Sequence, residues 1–140
     1  MDGALVVKKF ILVVDDQPLI ADTLALILNS AEKGFLAVSI HRAADAIGLA
    51  RAIRPDLVLL DVRMPEVVGL EHALQLRDEL GYPVLLISGS LTTVGILESA
   101  LAAGIRPFSI LAKPVHPDDL IGEIRNHFQA DHRDSHPLSH

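Results

Sequence analysis

The chain has no cysteine and no tryptophan, and aromatic residues make up only 4% of it. Without thiols it forms no disulfide and offers no thiolate to a metal, so a metal site here must use oxygen or nitrogen. Few stacking rings and a formal net charge of −6 argue against direct DNA or RNA binding, which calls for a basic face and base-stacking side chains. No uninterrupted apolar run is long enough to cross a bilayer. The opening Met1-Asp2-Gly3 lacks the charged start and long apolar core of a signal peptide. A cytoplasmic protein that engages no membrane is therefore expected. There is no G-x-G-x-x-G, and Gly89-Ser90-Leu91-Thr92 lacks the lysine of a phosphate-binding loop.

What is present is apolar sequence in short, regular blocks. Half of the 140 residues are apolar, enough for one domain with a full core and too few for two. Strand and helix patterns alternate five times, which predicts a parallel sheet covered on both faces. The strands are expected at Phe10–Val14, Phe35–Ile40, Leu57–Leu60, Val84–Ile87 and around Ile110–Ala112. Helices are expected at Leu19–Ala31, Ala43–Ile53, from about Gly69 to Leu80, roughly Thr92–Ala103, and from Asp118 to Phe128. Pro18 suits a first helical turn, Gly81 and Gly104 suit helix stops, and Arg54-Pro55 ends the second helix. Residues 1–129 read as one domain and 130–140 as a polar, disordered tail. The tail histidines His132, His136 and His140 have helical spacing, but Ser135 and Pro137 are poor company for a helix.

The charges sit where such a fold builds its sites. Asp15 and Asp16 close the first strand, Asp61 closes the third, and Lys113-Pro114 closes the last. Charges just beyond buried parallel strands collect at the carboxyl edge of the sheet. For the acids to meet, strands one and three must be neighbours, as in the doubly wound order 2-1-3-4-5. Three carboxylates brought together repel one another unless a cation sits among them. Hard oxygen ligands with water and phosphate oxygens point to Mg²⁺. A carboxylate is also a nucleophile toward phosphorus, and Asp61, alone on the central strand, is the best placed. Lys113 supplies a point charge for a phosphoryl oxygen, and Ser88, after strand four, a hydroxyl for another.

The stretches Ile11-Leu12-Val13-Val14-Asp15-Asp16-Gln17-Pro18, Asp61-Val62-Arg63-Met64-Pro65 followed by Gly69-Leu70-Glu71, Leu86-Ile87-Ser88-Gly89 and Lys113-Pro114 resemble the receiver domain of two-component response regulators. The resemblance covers about residues 8–128. It implies a flavodoxin-like (βα)5 fold with a central five-stranded parallel sheet. It implies that Asp61 accepts a phosphoryl group from a histidine kinase or a histidine phosphotransfer protein. Asp15, Asp16, Asp61 and the backbone carbonyl of Arg63 would hold Mg²⁺. Ser88 would be the switch hydroxyl, Lys113 the phosphate-binding lysine, and the Lys113-Pro114 bond cis. Such a chain is no enzyme beyond its own phosphorylation and dephosphorylation. With no attached output expected, it would signal by docking or act in a phosphorelay.

Departures from the pattern define the other expectations. Ile110 stands where receivers usually carry an aromatic, with Phe108 two residues earlier. That leaves room for a receiver-fold interaction module that works without phosphorylation. Val68 lacks the side-chain oxygen that would cap the third helix. The fourth helix carries Gly95, a single charge at Glu98, and the apolar Ile96, Leu97 and Leu101. It is thus expected to form, with the fifth strand and fifth helix, the docking face for a protein partner or for a second copy in a homodimer. Arg63 and Ser90, each two residues beyond Asp61 and Ser88, are expected to influence water access to the phosphoryl group. A phosphohydrolase of the haloacid dehalogenase type would need aspartate two positions beyond its nucleophile. Gln17 and Pro18 occupy those positions instead.

Overall fold

The computed structural model describes residues 8–31, 34–62, 66–89, 95, 98 and 101–134, with the backbone alone at 31, 66–69 and 130–134. Five strands, β1 (Lys9–Val14), β2 (Phe35–Ile40), β3 (Leu57–Asp61), β4 (Val84–Ser88) and β5 (Ser109–Ala112), form one sheet in the order β2-β1-β3-β4-β5. Every pairing is parallel. The order is that of the flavodoxin-like fold, and its reversal between β1 and β3 creates the crevice where the site lies.

Alternation along the strands divides the core in two. Ile11, Val13, Leu57, Leu59, Leu85 and Ile87 face helix α1 (Pro18–Ala31) and the C-terminal helix (Pro117–Asp134), which contributes Leu120 and Ile124. Leu12, Val14, Val58, Leu60 and Leu86 face the other way, against helices α2 (Ala46–Ile53) and α3 (Glu66–Leu74). Burial on both faces is why the strands read as unbroken apolar runs. Each fully buried leucine or isoleucine there is worth about 1.5–3 kcal/mol of transfer free energy.

The helix ends follow local chemistry. Arg54 closes α2 in the left-handed region at φ 49°, its N–H donating to the Ala50 carbonyl at 2.8 Å. Gly81 and Gly104 have φ of 81° and 90°, where a side chain is strained, as expected of helix stops.

Two expected boundaries are corrected. The third helix starts at Glu66 instead of near Gly69 and ends in a π-helical turn, Gln75–Glu79. Gly69 is thus an interior glycine of this helix. Val68 is therefore not a cap position and owes the backbone no hydrogen bond. The C-terminal helix passes Phe128 and runs to Asp134, across the boundary expected at 129. No glycine or proline interrupts the sequence between Glu123 and Asp134, so nothing in the backbone stops the helix at Phe128. Gly95, Glu98, Leu101 and Ala102 are helical, as expected of the fourth helix. Ile96 and Leu97 lie outside the described residues, as do residues 135–140 of the expected tail. Among the described residues no helix is long and apolar enough to cross a membrane.

Candidate functional site

Strand register brings the charged ends to one level. Val14 aligns with Leu60, so the next step sets Asp15 beside Asp61. Asp61 aligns with Ile87, and Ser88 with Ala112, the residue before Lys113. Apolar runs that stop at matching heights thus deliver their terminal polar residues to a single edge.

Asp15 is 2% exposed. Its backbone N–H donates to the Ile40 carbonyl at 3.2 Å, and its Oδ1 accepts the Gln17 N–H at 3.0 Å. Those bonds aim the second oxygen, Oδ2, at Lys113, whose Nζ lies 3.5 Å away. The same Nζ lies 2.8 Å from Asp61 Oδ1, and the Asp61 side chain is almost wholly buried. Asp16 is exposed at the rim. Lys113 is oriented at its base by its N–H, which donates to the Ser88 carbonyl at 2.8 Å. Its aliphatic stem runs past Gly89, where an added Cβ would meet the lysine Cβ at 3.5 Å. The Lys113-Pro114 peptide is cis. Ser88 is the last residue of β4 and is buried.

One carboxylate oxygen from each of Asp15, Asp16 and Asp61 lies within 4.8 Å of the other two. A Mg²⁺ ion holds oxygens at about 2.1 Å, so two of its ligands are at most about 4.2 Å apart. The cluster therefore fits that ion after closing by a few tenths of an ångström, or through an interposed water, which Mg²⁺ retains readily. Among the described residues, three carboxylates against one ammonium leave an excess of negative charge that a divalent cation offsets. Asp15, Asp16, Asp61, Ser88 and Lys113 are thus brought together as the sequence suggested. Arg63 and Ser90 lie outside the described residues.

Other features were not visible in the motifs. A cavity of about 580 Å³ opens beside Lys113, lined by Leu19, Ile20, Thr23 and Ile27 of α1 and by Pro114 and Val115. Leu19 and Leu26 are 79% and 65% exposed. Both lie off the buried stripe of Ala21, Leu24, Ala25 and Leu28, and Leu19, which lines the cavity, was the available signal for this wall. Asp22 of α1 accepts a hydrogen bond from Ser39 Oγ at 2.7 Å and pairs with His41 Nε2 at 2.8 Å. These contacts, the serine first, hold its carboxyl below the usual range. Both partners bind one carboxylate oxygen, so His41 does not activate Ser39 and the trio is no nucleophilic triad.

Ile110 is partly buried against the α2–α3 side of the core, at the register position of Leu86. Phe108 lies on the same side but at the opposite end of the sheet, with the Arg77 guanidinium 3.8 Å from its ring centroid. The guanidinium also reaches Asp78 and the carbonyls of Arg106 and Pro107. No sequence motif marked Arg77, Asp78, Arg106 or Pro107.

Comparison with known proteins agrees with the geometry. The response regulator MtrA of Mycolicibacterium smegmatis, described as DNA-binding, is 32% identical over 118 residues, 84% of this chain and 50% of MtrA. The chain therefore spans about half the length of that relative. A CheY-like receiver domain protein from Methanospirillum hungatei is 26% identical with a TM-score of 0.71, over 91% of this chain and 99% of that one. The chemotaxis protein CheY4 of Vibrio cholerae shares the fold at 24% identity and a TM-score of 0.70, over 85% of this chain and 98% of its own. The response regulator receiver domain family matches residues 11–125, which include every described residue of the acidic edge, and the chain belongs to that family.

Proposed function

We propose that Asp61 accepts a phosphoryl group from the phosphohistidine of a histidine kinase or histidine phosphotransfer protein, in a Mg²⁺-dependent step. The observation that carries this reading is the 2.8 Å contact of Lys113 Nζ with Asp61 Oδ1, next to the carboxylates of Asp15 and Asp16. An Asp61 oxygen attacks phosphorus and forms a P–O bond. The P–N bond breaks, and its electron pair returns to the donor imidazole. Phosphoryl transfer needs little covalent help beyond position and charge neutralisation. Lys113 already sits on the nucleophile, so it can follow the negative charge onto a phosphoryl oxygen. Ser88, at the end of the adjacent strand, offers its hydroxyl to another. A metal ion held by Asp15, Asp16 and Asp61 would supply further charge neutralisation when bound.

The donor must bring an imidazole to a buried carboxylate, so it needs a seat near the site. The apolar cavity between α1 and Pro114-Val115 is that seat, fit for the apolar face of a donor helix. For output, a second groove of about 460 Å³ runs between β5 and the C-terminal helix, with Leu111 and Val115 in its wall and Asp118, Asp119 and Glu123 around it. Its acidic rim suits a partner of complementary basic charge. A second copy of the chain is the other occupant of that face.

Intact-mass spectrometry after incubation with acetyl phosphate tests the reading. One phosphoryl adduct is expected, requiring both Mg²⁺ and Asp61 and absent from Asp61→Asn. An adduct that survives in Asp61→Asn would place the chemistry elsewhere. No adduct and no response to beryllofluoride would favour a docking module that works without phosphorylation, the reading to which Ile110 lends support.

A further inference from the structure

Arg77 ties the π-helical turn after α3 to the segment that leads into β5. Its Nε–H and Nη2–H donate to the two oxygens of Asp78 at 2.7 and 3.1 Å. On the other side Nη1–H donates to the Pro107 carbonyl at 2.9 Å and Nη2–H to the Arg106 carbonyl at 3.1 Å. The guanidinium carbon lies over the Phe108 ring, 3.8 Å from its centroid. Arg106 Nη2–H returns to Asp78 Oδ1 at 3.0 Å. The Arg77 side chain is only 11% exposed. A planar fork engaged along two edges and one face has little freedom left, and lysine cannot reproduce it. The turn that carries Arg77 is itself an irregularity, since Leu80 N–H reaches back to the Gln75 carbonyl at 3.0 Å. Such π turns cluster at functional places.

The contact fixes the register position of an aromatic. Ser109 aligns with Leu85, so Phe108 stands at the level of Val84, four residues below Ser88. At about 3.3 Å per residue that is roughly 13 Å from the switch hydroxyl. Ile110, between them, is β-branched and stiff at χ1.

We propose that Arg77 pins the segment leading into β5, so that Phe108 keeps one position whether or not Asp61 carries a phosphoryl group. The proposal rests on the receiver reading and makes it specific. Conformational change on phosphorylation is confined to the carboxyl half of this face, beyond Ile110.

The test uses the whole chain labelled with fluorophenylalanine, whose four phenylalanines give separable fluorine resonances, Phe108 being assigned through Phe108→Leu. Backbone amides are followed in parallel, with and without Mg²⁺ and beryllofluoride. The expected result is a strong shift of the Ser88 and Gly89 amides with an unmoved Phe108 resonance. A Phe108 resonance that shifts together with those amides overturns the pin. In Arg77→Met, amide exchange at Phe108 through Ile110 should quicken about tenfold without any ligand, as for a locally released segment. Unchanged exchange there also overturns the proposal. Should Arg77→Met not fold, Arg77→Lys carries the same arm, because it keeps the charge and loses the fork. If Ser88 and Gly89 fail to respond to beryllofluoride, the receiver reading falls. The exchange arm then decides the pin by itself.

Discussion

Both edges of the sheet gather charge, and they treat it in opposite ways. At the carboxyl edge three carboxylates face a single ammonium, Lys113, among the described residues, so negative charge is left in excess there. At the amino edge two guanidiniums share one carboxylate, Asp78, and the backbone carbonyls of Arg106 and Pro107 take up further donors of Arg77. The first arrangement is unfavourable alone and becomes favourable with a cation bound. The second is complete within the chain. Imbalance thus sets the carboxyl edge apart, the edge to which the proposed chemistry is assigned, and saturation marks the edge that holds the sheet in place.

The comparison can be broken most directly at Lys113. In Lys113→Ala, acetyl phosphate labelling should slow about a hundredfold, the usual loss when one preorganised charge is removed from a reacting oxygen. Mg²⁺ should bind more tightly, because the acidic edge loses its only close cation among the described residues. Time-resolved mass spectrometry and a calorimetric Mg²⁺ titration read the two effects. Labelling close to wild type would make Lys113 a structural ion pair and erase the contrast.

A smaller effect should differ in sign between the edges. Asp15→Asn keeps an acceptor for the Gln17 N–H and removes one of the repelling charges. Without divalent ions it should raise stability by about 1 kcal/mol, or about 4 °C in melting temperature. Saturating Mg²⁺ should cancel that gain. Asp78→Asn should lower the melting temperature, since it strips the carboxylate shared by Arg77 and Arg106. Scanning calorimetry of both variants with and without Mg²⁺ is the check, and shifts of the same sign would refute the distinction.

The smallest effect is in the pH dependence. Asp78 is lowered to about 2, first by its hydrogen bond from Arg77. The unfolded chain takes up that proton near the ordinary carboxylate value of 3.8, the folded chain only near 2. The contribution is therefore intact above about pH 4 and drains away as the pH falls toward 2. It is modest, because the Asp78 side chain is 40% exposed and solvent screens it. Urea midpoints across that window should fall less steeply in Asp78→Asn than in wild type, and parallel curves would remove Asp78 as their cause.

Legibility followed the same division. Strand ends at Asp15, Asp61 and Lys113 were readable because each closes an apolar run, and a parallel sheet turns matching run ends into one cluster. Arg77 was unreadable. Its partners Arg106 and Pro107 lie 29 and 30 residues away and are backbone carbonyls, which carry no side-chain signature. Gly69 misled the reading of α3, because a glycine inside a helix costs only about 1 kcal/mol, which the rest of the helix outweighs. The end at Phe128 misled in the other direction. Apolar periodicity reports where a helix is buried, while Gln129 to Asp134 contain no glycine or proline that would stop its backbone.

By itself the sequence determined the alternation of buried strands and covering helices and the polar residue that ends each strand. These depend on local patterns whose period is a property of the backbone. It also determined that any metal here would meet oxygen or nitrogen ligands, because no thiol exists. Only the tertiary structure decided that one ammonium bridges Asp61 and Asp15, that a groove opens beside α1, and that Phe108 lies under Arg77 away from Ser88. Those outcomes depend on register and on side chains that meet across the fold, and such meetings are set by packing the whole core at once.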